Sequence, residues 1–230
     1  MALVNGQPLI YWQIRRIQKA NEISKLVIAT STDGSDAVLA DYVLSLGVAA
    51  EKGPLDDVFL RFLNIILDNP DHSVIVRLTG DCPLTMPLLL DEMIQEFAEG
   101  DYDYYSNCLP PTFPDGLDIE IFTKEAFISL SRQNLTFQER EHVTLGFRNY
   151  PNLFKVGNKS NRVDLSDLRW TVDYEEDLEF IKSVFKVCQG REDTINLPQM
   201  LELLENNPNL ETRLSGNLRN IALKNLEGTT

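Results

Sequence analysis

Strand-like and helical patterns alternate along the first hundred residues of the chain. Short apolar, β-branched runs at 25–30, 48–53 and 72–80 predict buried strands. Segments with helical spacing of apolar residues lie around them, at 8–20, 31–47, 54–69 and 86–100. This alternation is typical of an α/β fold with a parallel sheet between two layers of helices. In such folds ligands bind at the carboxyl ends of the strands.

Beyond residue 100 the pattern is less regular. Strands are predicted at 101–107, 117–123, 152–158 and 168–173, and helices at 124–133, 138–149, 174–188 and 197–207. We see no internal repeat and no low-complexity linker. The prediction is a single domain over 1–230, in which 191–230 forms a helical and irregular appendage.

Composition and charge narrow the classes of function. The chain has no apolar run of 18 residues, which argues against a transmembrane span. Its net charge of −14 disfavours nucleic acid and anionic membranes as partners. An anionic small ligand would need a metal ion, backbone amides or a few arginines. Three cysteines without metal-like spacing predict reduced thiols and a cytoplasmic location.

The segment VRLTGDCPL at 76–84 ends a predicted buried strand. Gly80 allows the backbone to turn, and Asp81 then projects at the carboxyl end of that strand. A carboxylate at this position suits a hard divalent cation, which prefers oxygen ligands. The alternative is that Asp81 only caps the helix that follows, although a cap at 85–86 also fits the proline at 87.

A second strand end carries Asp173, in LRWTVDYEEDLEFI at 168–181. Asp173 would be the second ligand of one Mg²⁺ if both strand ends met in one cleft, since Mg²⁺ takes one or two carboxylates plus substrate phosphates. The alternative is a helix N-cap, with Glu176 three residues further on completing a capping box.

Two further segments offer polar side chains for a ligand. In PDGLDIE at 114–120, Asp115 precedes a tight turn at Gly116 and Glu120 follows that turn. Together with Asn107, these side chains suit a polyhydroxylated ligand. A solvated turn between strands explains them equally well. His142, in QEREHVTLGF, could position a carboxylate or phosphate, although a lone histidine is more often structural. Gly53 precedes a helix N-terminus that could face a nucleotide.

Taken together, VRLTGDCPL, DVFLRF, FPDGLDIEIF, EREHVT and RWTVDYEEDLEFI resemble the cytidylyltransferase family. The similarity extends over about residues 4–188. Within the family, the sequence is most similar to the branch of spore coat polysaccharide biosynthesis protein F-like enzymes. The resemblance implies a three-layer, Rossmann-like nucleotidyltransferase fold with a mostly parallel central sheet. It also implies a reaction of CTP with a sugar that gives a CMP-sugar and pyrophosphate, in surface polysaccharide or glycan biosynthesis.

The resemblance assigns roles to residues. Asp81 and Asp173 would hold Mg²⁺ and act as the catalytic pair. The sugar, possibly an acidic one of the ulosonic type, would be bound by Arg77, Asn107, Asp115, Glu120 and His142. The nucleotide would lie near Asn5, Gly6, Gly53 and Gly80. Related enzymes are commonly dimers, so a homodimer is possible.

The opening segment departs from the family pattern. Members begin with a strand and a basic loop of the form R-x-x-S-x-R-L-P-G-K, and Met1 falls just after the position of that lysine. We therefore expect little or no transferase activity from the chain as written, and a native protein longer by about 20 residues, one strand–loop unit of a βαβ motif.

Two alternatives stay open at this point. A glycosyltransferase that uses nucleotide-diphosphosugars would need an Asp-x-Asp motif at a strand end. TGDCP has a single aspartate, and Asp101-Tyr102-Asp103 leads into a predicted strand rather than closing one. The second alternative is an inactive form that binds only nucleotide or sugar.

Overall fold

The structure, a computed structural model, describes residues 1–210 of the chain. Within this range the strands are β1 Leu3–Val4, β2 Gln7–Pro8, β3 Val27–Ser31, β4 Ala49–Gly53, β5 Val74–Arg77, β6 Tyr104–Ser106, β7 Glu120–Thr123 and β8 Val156–Asn158. The α-helices are α1 Leu9–Ile17, α2 Ala37–Ser45, α3 Val58–Asp68, α4 Pro87–Glu99, α5 Lys124–Ser131, α6 Phe137–Glu141, α7 Leu145–Asn149, α8 Glu175–Cys188 and α9 Leu197–Asn206.

The first hundred residues form the elements that their pattern predicts. Local chemistry fixes several boundaries. The Asp57 carboxylate accepts a hydrogen bond from the backbone amide of Leu60 and so begins α3, while Pro87 occupies the first turn of α4. After α2 the chain turns at Gly47, whose φ of 74° is a conformation that suits glycine.

The sheets are mixed, whereas the prediction was of a mostly parallel central sheet. β3 and β4 pair in parallel, with Val27 opposite Ala49. A separate four-stranded sheet has the order β5-β7-β6-β8, and β7 runs antiparallel to both of its neighbours. β7 can reverse direction because it follows β6 through a loop, and an antiparallel pair needs no crossover helix. The α/β class is confirmed, but the four-stranded sheet is mixed rather than mostly parallel.

A cavity of about 910 Å³ lies between the β3–β4 pair and β5. In the described part of the chain, β3 is paired only with β4, and β5 only with β7. The first three residues of β3 and all of β5 line the cavity, and residues of α1 and α3 also line it. Two strand edges without partners therefore border one largely apolar space.

The main hydrophobic core packs α4, α8 and α9 against the four-stranded sheet and the loops around it. Trp170 and Phe185 are fully buried there. Ile195, Met200 and Leu203 belong to the same core, so the part of 191–230 that is described is packed rather than appended. Residues 211–230 of the predicted appendage lie outside the described residues.

Two predictions of secondary structure are wrong. Residues 168–173 form no regular strand, and only a single parallel bridge joins Asp115 to Arg169. The predicted helix at 138–149 is split into α6 and α7, because Val143 has a φ of 53°, which no α-helix accommodates. Among residues 1–210, none of the helices combines the length and the apolar character needed to cross a bilayer.

Candidate active site

Asp81 lies in the turn beyond the carboxyl end of β5 and is partly buried. Its backbone carbonyl accepts a hydrogen bond of 2.9 Å from the amide of Val172, and its Oδ1 accepts one of 3.2 Å from Sγ of Cys82. Burial first, and then the charge of Asp81, raises the pKa of the Cys82 thiol, which therefore stays a donor. The N-cap of α4 is Met86, so Asp81 does not cap that helix.

Asp173 directly follows Val172 and is about half exposed, with 48% of its side chain accessible. The bond between Val172 and Asp81 thus brings the two predicted ligand-bearing segments side by side. The alternative role as a helix cap is wrong for Asp173, because the N-cap of α8 is Tyr174 and its capping-box partner is Asp177 rather than Glu176.

Arg169 connects Asp173 to two other carboxylates, and we call these four residues the Arg169 cluster: Asp115, Arg169, Asp173 and Asp177. The guanidinium donates to Asp173 at 2.6 Å, to Asp115 at 3.1 Å and to both oxygens of Asp177 at 2.8 and 2.9 Å. Burial opposes ionisation of Asp177, but the bonds from Arg169 and two backbone amides lower the pKa of Asp177 overall.

Two of the predicted sugar-binding residues pair with each other. Glu120, on β7, forms an ion pair with Arg77 on β5 and accepts hydrogen bonds from the hydroxyls of Tyr104 and Thr144. Arg148 lies 4.0 Å from the same carboxylate. These five residues form what we call the Glu120 cluster. Burial opposes ionisation, but Arg77, Thr144 and Tyr104 lower the pKa of Glu120, and Glu120 in turn raises the pKa of Arg77 against burial.

The other predicted sugar-binding residues have different surroundings. Asn107 is fully buried, and its amide donates to the carbonyl of Leu117 while its carbonyl oxygen accepts from the amide of Ile119. This side chain therefore joins the two ends of the loop between β6 and β7. Asp115 is buried against Arg169, as described above. His142 is the C-cap of α6 and is partly buried. Their roles in sugar binding stay predictions.

The predicted nucleotide-binding positions are all in turns or at strand ends. Asn5 and Gly6 form the exposed turn between β1 and β2, both with positive φ, as an Asn-Gly hairpin turn requires. Gly80 is exposed beside Asp81. Gly53 ends β4, and a Cβ there would come within 2.7 Å of Cγ of Arg61, so only glycine fits without displacement. Their contacts with a nucleotide stay predictions.

The donor set at the Asp81–Asp173 pair is compatible with Mg²⁺. In the described part of the chain, no group of three or more histidine, cysteine, aspartate or glutamate side chains is arranged so that it could hold a metal ion. Two carboxylates at the protein surface nevertheless match the usual demand of Mg²⁺, which keeps several waters and takes its other ligands from substrate phosphates. Oδ2 of Asp173 is bound by Arg169, whereas its Oδ1 makes no hydrogen bond to the described residues.

Comparison with known proteins identifies similar chains. A family model described as cytidylyltransferase matches residues 1–209. The chain is 37% identical over 192 residues to spore coat polysaccharide biosynthesis protein SpsF of Bacillus subtilis (strain 168), covering 81% of this chain and 77% of that protein. It is 26% identical over 119 residues to a 3-deoxy-manno-octulosonate cytidylyltransferase of Methylorubrum populi, about half of each chain.

A solved structure extends the match to the fold. The structure of a cytidylyltransferase from Leptospira borgpetersenii superimposes with a TM-score of 0.86 and 26% identity, covering 93% of this chain and 89% of that one. The α/β fold, with Asp81 beyond β5, is thus that of a Rossmann-like nucleotidyltransferase. The chain belongs to the cytidylyltransferase family, and its enzymatic class is that of the nucleotidyltransferases.

Sequence reasoning did not single out Arg169 and Asp177, or Tyr104, Thr144 and Arg148. A signal for the first two exists: an arginine stands inside a predicted buried strand, four residues before one aspartate and eight before another. Buried arginines almost always have partners. No comparable pattern marks the partners of Glu120, because they come from three separate segments.

Proposed function

We propose that this chain couples CTP to a sugar, giving a CMP-sugar and pyrophosphate for a surface polysaccharide or glycan. The observation that carries the proposal is the adjacency of Asp81 and Asp173, joined through the bond from Val172 to the carbonyl of Asp81. The name of the Bacillus relative supports a polysaccharide pathway, and that of the Methylorubrum relative supports a sugar as the acceptor of the cytidylyl group.

In the proposed reaction, a hydroxyl oxygen of the sugar forms a bond to the α-phosphorus of CTP. The bond from that phosphorus to the oxygen bridging it to the β-phosphate breaks, and pyrophosphate leaves with the electron pair. The sugar hydroxyl loses its proton to solvent. Catalysis of such a step depends mainly on positioning and on neutralising charge.

Asp81 and Asp173 are the residues that would hold Mg²⁺. When bound, the ion supplies neutralisation of phosphate charge and orientation of the leaving pyrophosphate. Arg169 restrains one of the two carboxylates. The turn at Gly80 leaves room beside Asp81 for a phosphate chain, because a glycine has no side chain to obstruct it.

We propose an acidic sugar as the substrate. The Glu120 cluster contains two arginines and one carboxylate, so positive charge is in excess there. Nε of Arg148 is buried and has no hydrogen-bond partner among the described residues. A carboxylate on the sugar would complement this excess. His142 lies two residues from Thr144 of the same cluster and belongs to the same proposed sugar side.

A cytoplasmic location and a homodimer complete the proposal. Cys82, Cys108 and Cys188 form no disulfide, which fits a reducing compartment. The oligomeric state is directly measurable by sedimentation equilibrium.

The test is release of pyrophosphate in the presence of Mg²⁺, each nucleoside triphosphate in turn and a panel of neutral and acidic sugars. It is run on the chain as written and on a version extended by the in-frame codons upstream of Met1. We expect release with CTP and an acidic sugar, and none from D81N or D173N. The variant E179Q, on the exposed face of α8, is the matched control.

Two outcomes contradict the proposal. Transfer from a preformed sugar nucleotide, without release of pyrophosphate from CTP, would identify a glycosyltransferase. Absence of turnover in both versions with every sugar would favour a protein that only binds nucleotide or sugar.

A further inference from the structure

Arg169 uses every nitrogen of its guanidinium within the Arg169 cluster. Nε and Nη2 donate to the two oxygens of Asp177, Nη1 donates to Asp115, and Nη2 also donates to Oδ2 of Asp173. The side chain is 8% exposed. Because a guanidinium is planar, these bonds fix the direction in which each carboxylate can approach it.

Two of the three aspartates are held in place independently of Arg169, Asp177 through its carboxylate and Asp115 through its backbone. Asp177 accepts hydrogen bonds from the backbone amides of Asp173 and Tyr174, at 2.9 and 3.0 Å. The backbone of Asp115 donates to the carbonyl of Leu168 at 2.9 Å and accepts from the amide of Trp170 at 2.6 Å. The position of the guanidinium is therefore set by the fold around it.

Asp173 differs from these two carboxylates. Its side chain is 48% exposed, against 13% for Asp115 and 11% for Asp177. Arg169 is the one described residue that hydrogen-bonds its carboxylate, and it does so through Oδ2 alone. Oδ1 makes no hydrogen bond to the described residues, and the neighbouring residue Val172 is bonded to the carbonyl of Asp81.

We propose that Arg169 is a positioning residue, which holds Oδ2 of Asp173 so that Oδ1 is presented to a divalent cation. This inference rests on the proposed role of Asp173 as a metal ligand. A carboxylate that is already oriented loses less conformational freedom when the cation binds, and removing such an outer partner commonly weakens metal binding by about 10- to 100-fold.

The direction in which metal affinity changes distinguishes a positioning role of Arg169 from a simple effect of its charge. A positive guanidinium beside a cation site repels the cation, so removal of its charge alone would strengthen metal binding. Loss of positioning would weaken it. A purely structural role would lower thermal stability and leave metal binding by the folded protein unchanged.

The experiment measures binding of Mn²⁺ alone, from the electron paramagnetic resonance signal of the free ion. The wild type, D173N, R169Q and R169K are compared with R15Q, which removes an exposed arginine that pairs with Asp193 elsewhere. We expect binding about 10- to 100-fold weaker in R169Q. R169K keeps the charge but lacks the planar fork, so it should also bind more weakly than wild type. R15Q should match wild type.

Binding by R169Q as tight as wild type, or tighter, would overturn the inference. So would equal binding by wild type and D173N, or no binding by wild type, since Asp173 would then hold no cation. Circular dichroism establishes that each variant is folded, and R169K decides the question if R169Q does not fold. Pyrophosphate release is scored separately, so a protein that binds Mn²⁺ through Asp173 but does not use CTP would refute only the proposed function.

Discussion

The Glu120 cluster and the Arg169 cluster have opposite arrangements of charged side chains. In the first, a single carboxylate lies between two arginines and accepts bonds from two hydroxyls. In the second, a single guanidinium lies between three carboxylates. One cluster therefore has an excess of positive charge and the other an excess of negative charge, although the chain as a whole is strongly acidic.

The two clusters also differ in how far their charged groups reach the protein surface. The carboxylate of Glu120 is almost inaccessible, and its ion pair with Arg77 joins β7 to β5, while the side chains of Arg77 and Arg148 remain 18% and 26% exposed. The Arg169 cluster reaches the surface through Asp173. We therefore expect loss of the Glu120 carboxylate to alter mainly stability, and changes in the Arg169 cluster to alter mainly binding.

The largest expected effect comes from E120Q. This change leaves Arg77 and Arg148 with no opposing charge in a buried site, and breaking a buried ion pair from one side costs about 3–5 kcal/mol of unfolding free energy. Urea denaturation followed by circular dichroism measures the loss. A cost below about 1 kcal/mol would show that solvent reaches the cluster and that the comparison with Asp173 does not hold.

The pH dependence of stability should follow Glu120 as well. Its pKa is lower in the folded state than the usual value near 4.3, so the unfolded chain takes up a proton first as the solution is acidified. The stabilisation is complete above about pH 5 and is lost as pH falls through the lowered pKa. Urea midpoints between pH 3 and 7 measure this slope. In E120Q the slope should be shallower than in wild type, and an unchanged slope would contradict the assignment.

A smaller effect is expected from D177N. Asp177 accepts from the backbone amides of Asp173 and Tyr174 at the start of α8, and loss of such a cap costs about 0.5–2 kcal/mol. The melting temperature should fall, and binding of Mn²⁺ should weaken less than in R169Q because Asp115 still holds the guanidinium. If Mn²⁺ binds more weakly to D177N than to R169Q, Asp177 contributes more than Arg169 to metal binding, which contradicts this prediction.

The smallest effect is expected from E179Q. Glu179 pairs with Lys182 on the exposed face of α8, and such pairs contribute less than about 0.5 kcal/mol. Its urea midpoint should be close to that of wild type. A large loss would mean that surface pairs stabilise this protein as strongly as the buried clusters do.

The sequence predicts the parts of the fold that depend on local periodicity. β3, β4, β5 and the helices between them follow from the spacing of apolar residues, and the placement of Asp81 follows from the rule that ligand-binding residues lie at the carboxyl ends of strands. The placement of Asp173 does not follow from that rule, because residues 168–173 form no regular strand. The direction of β7 does not follow, because an alternating pattern is the same in a parallel and an antiparallel strand.

The partners of the buried charges could not be predicted in the same way. Arg77 and Glu120 are 43 positions apart, and their pairing depends on the register between β5 and β7. The resemblance to the family implies that both residues contact a sugar. A sequence alone does not tell whether a charged residue contacts a ligand or another charged residue. The pattern around Arg169 does not indicate its contacts either. The segment LRWTVD predicts a strand that ends in an aspartate, and nothing in that pattern shows which carboxylates the arginine contacts.

The cavity between β3 and β5 has a consequence for assembly of the sheet. Unpaired strand edges are templates on which another extended segment can add by main-chain hydrogen bonds. A segment seated there would meet α1 on one face and α3 on the other, so it would be apolar on both faces, as in fully covered sheets. It would also join the two separate sheets into one continuous surface, at whose edge lie both Gly53 and Asp81.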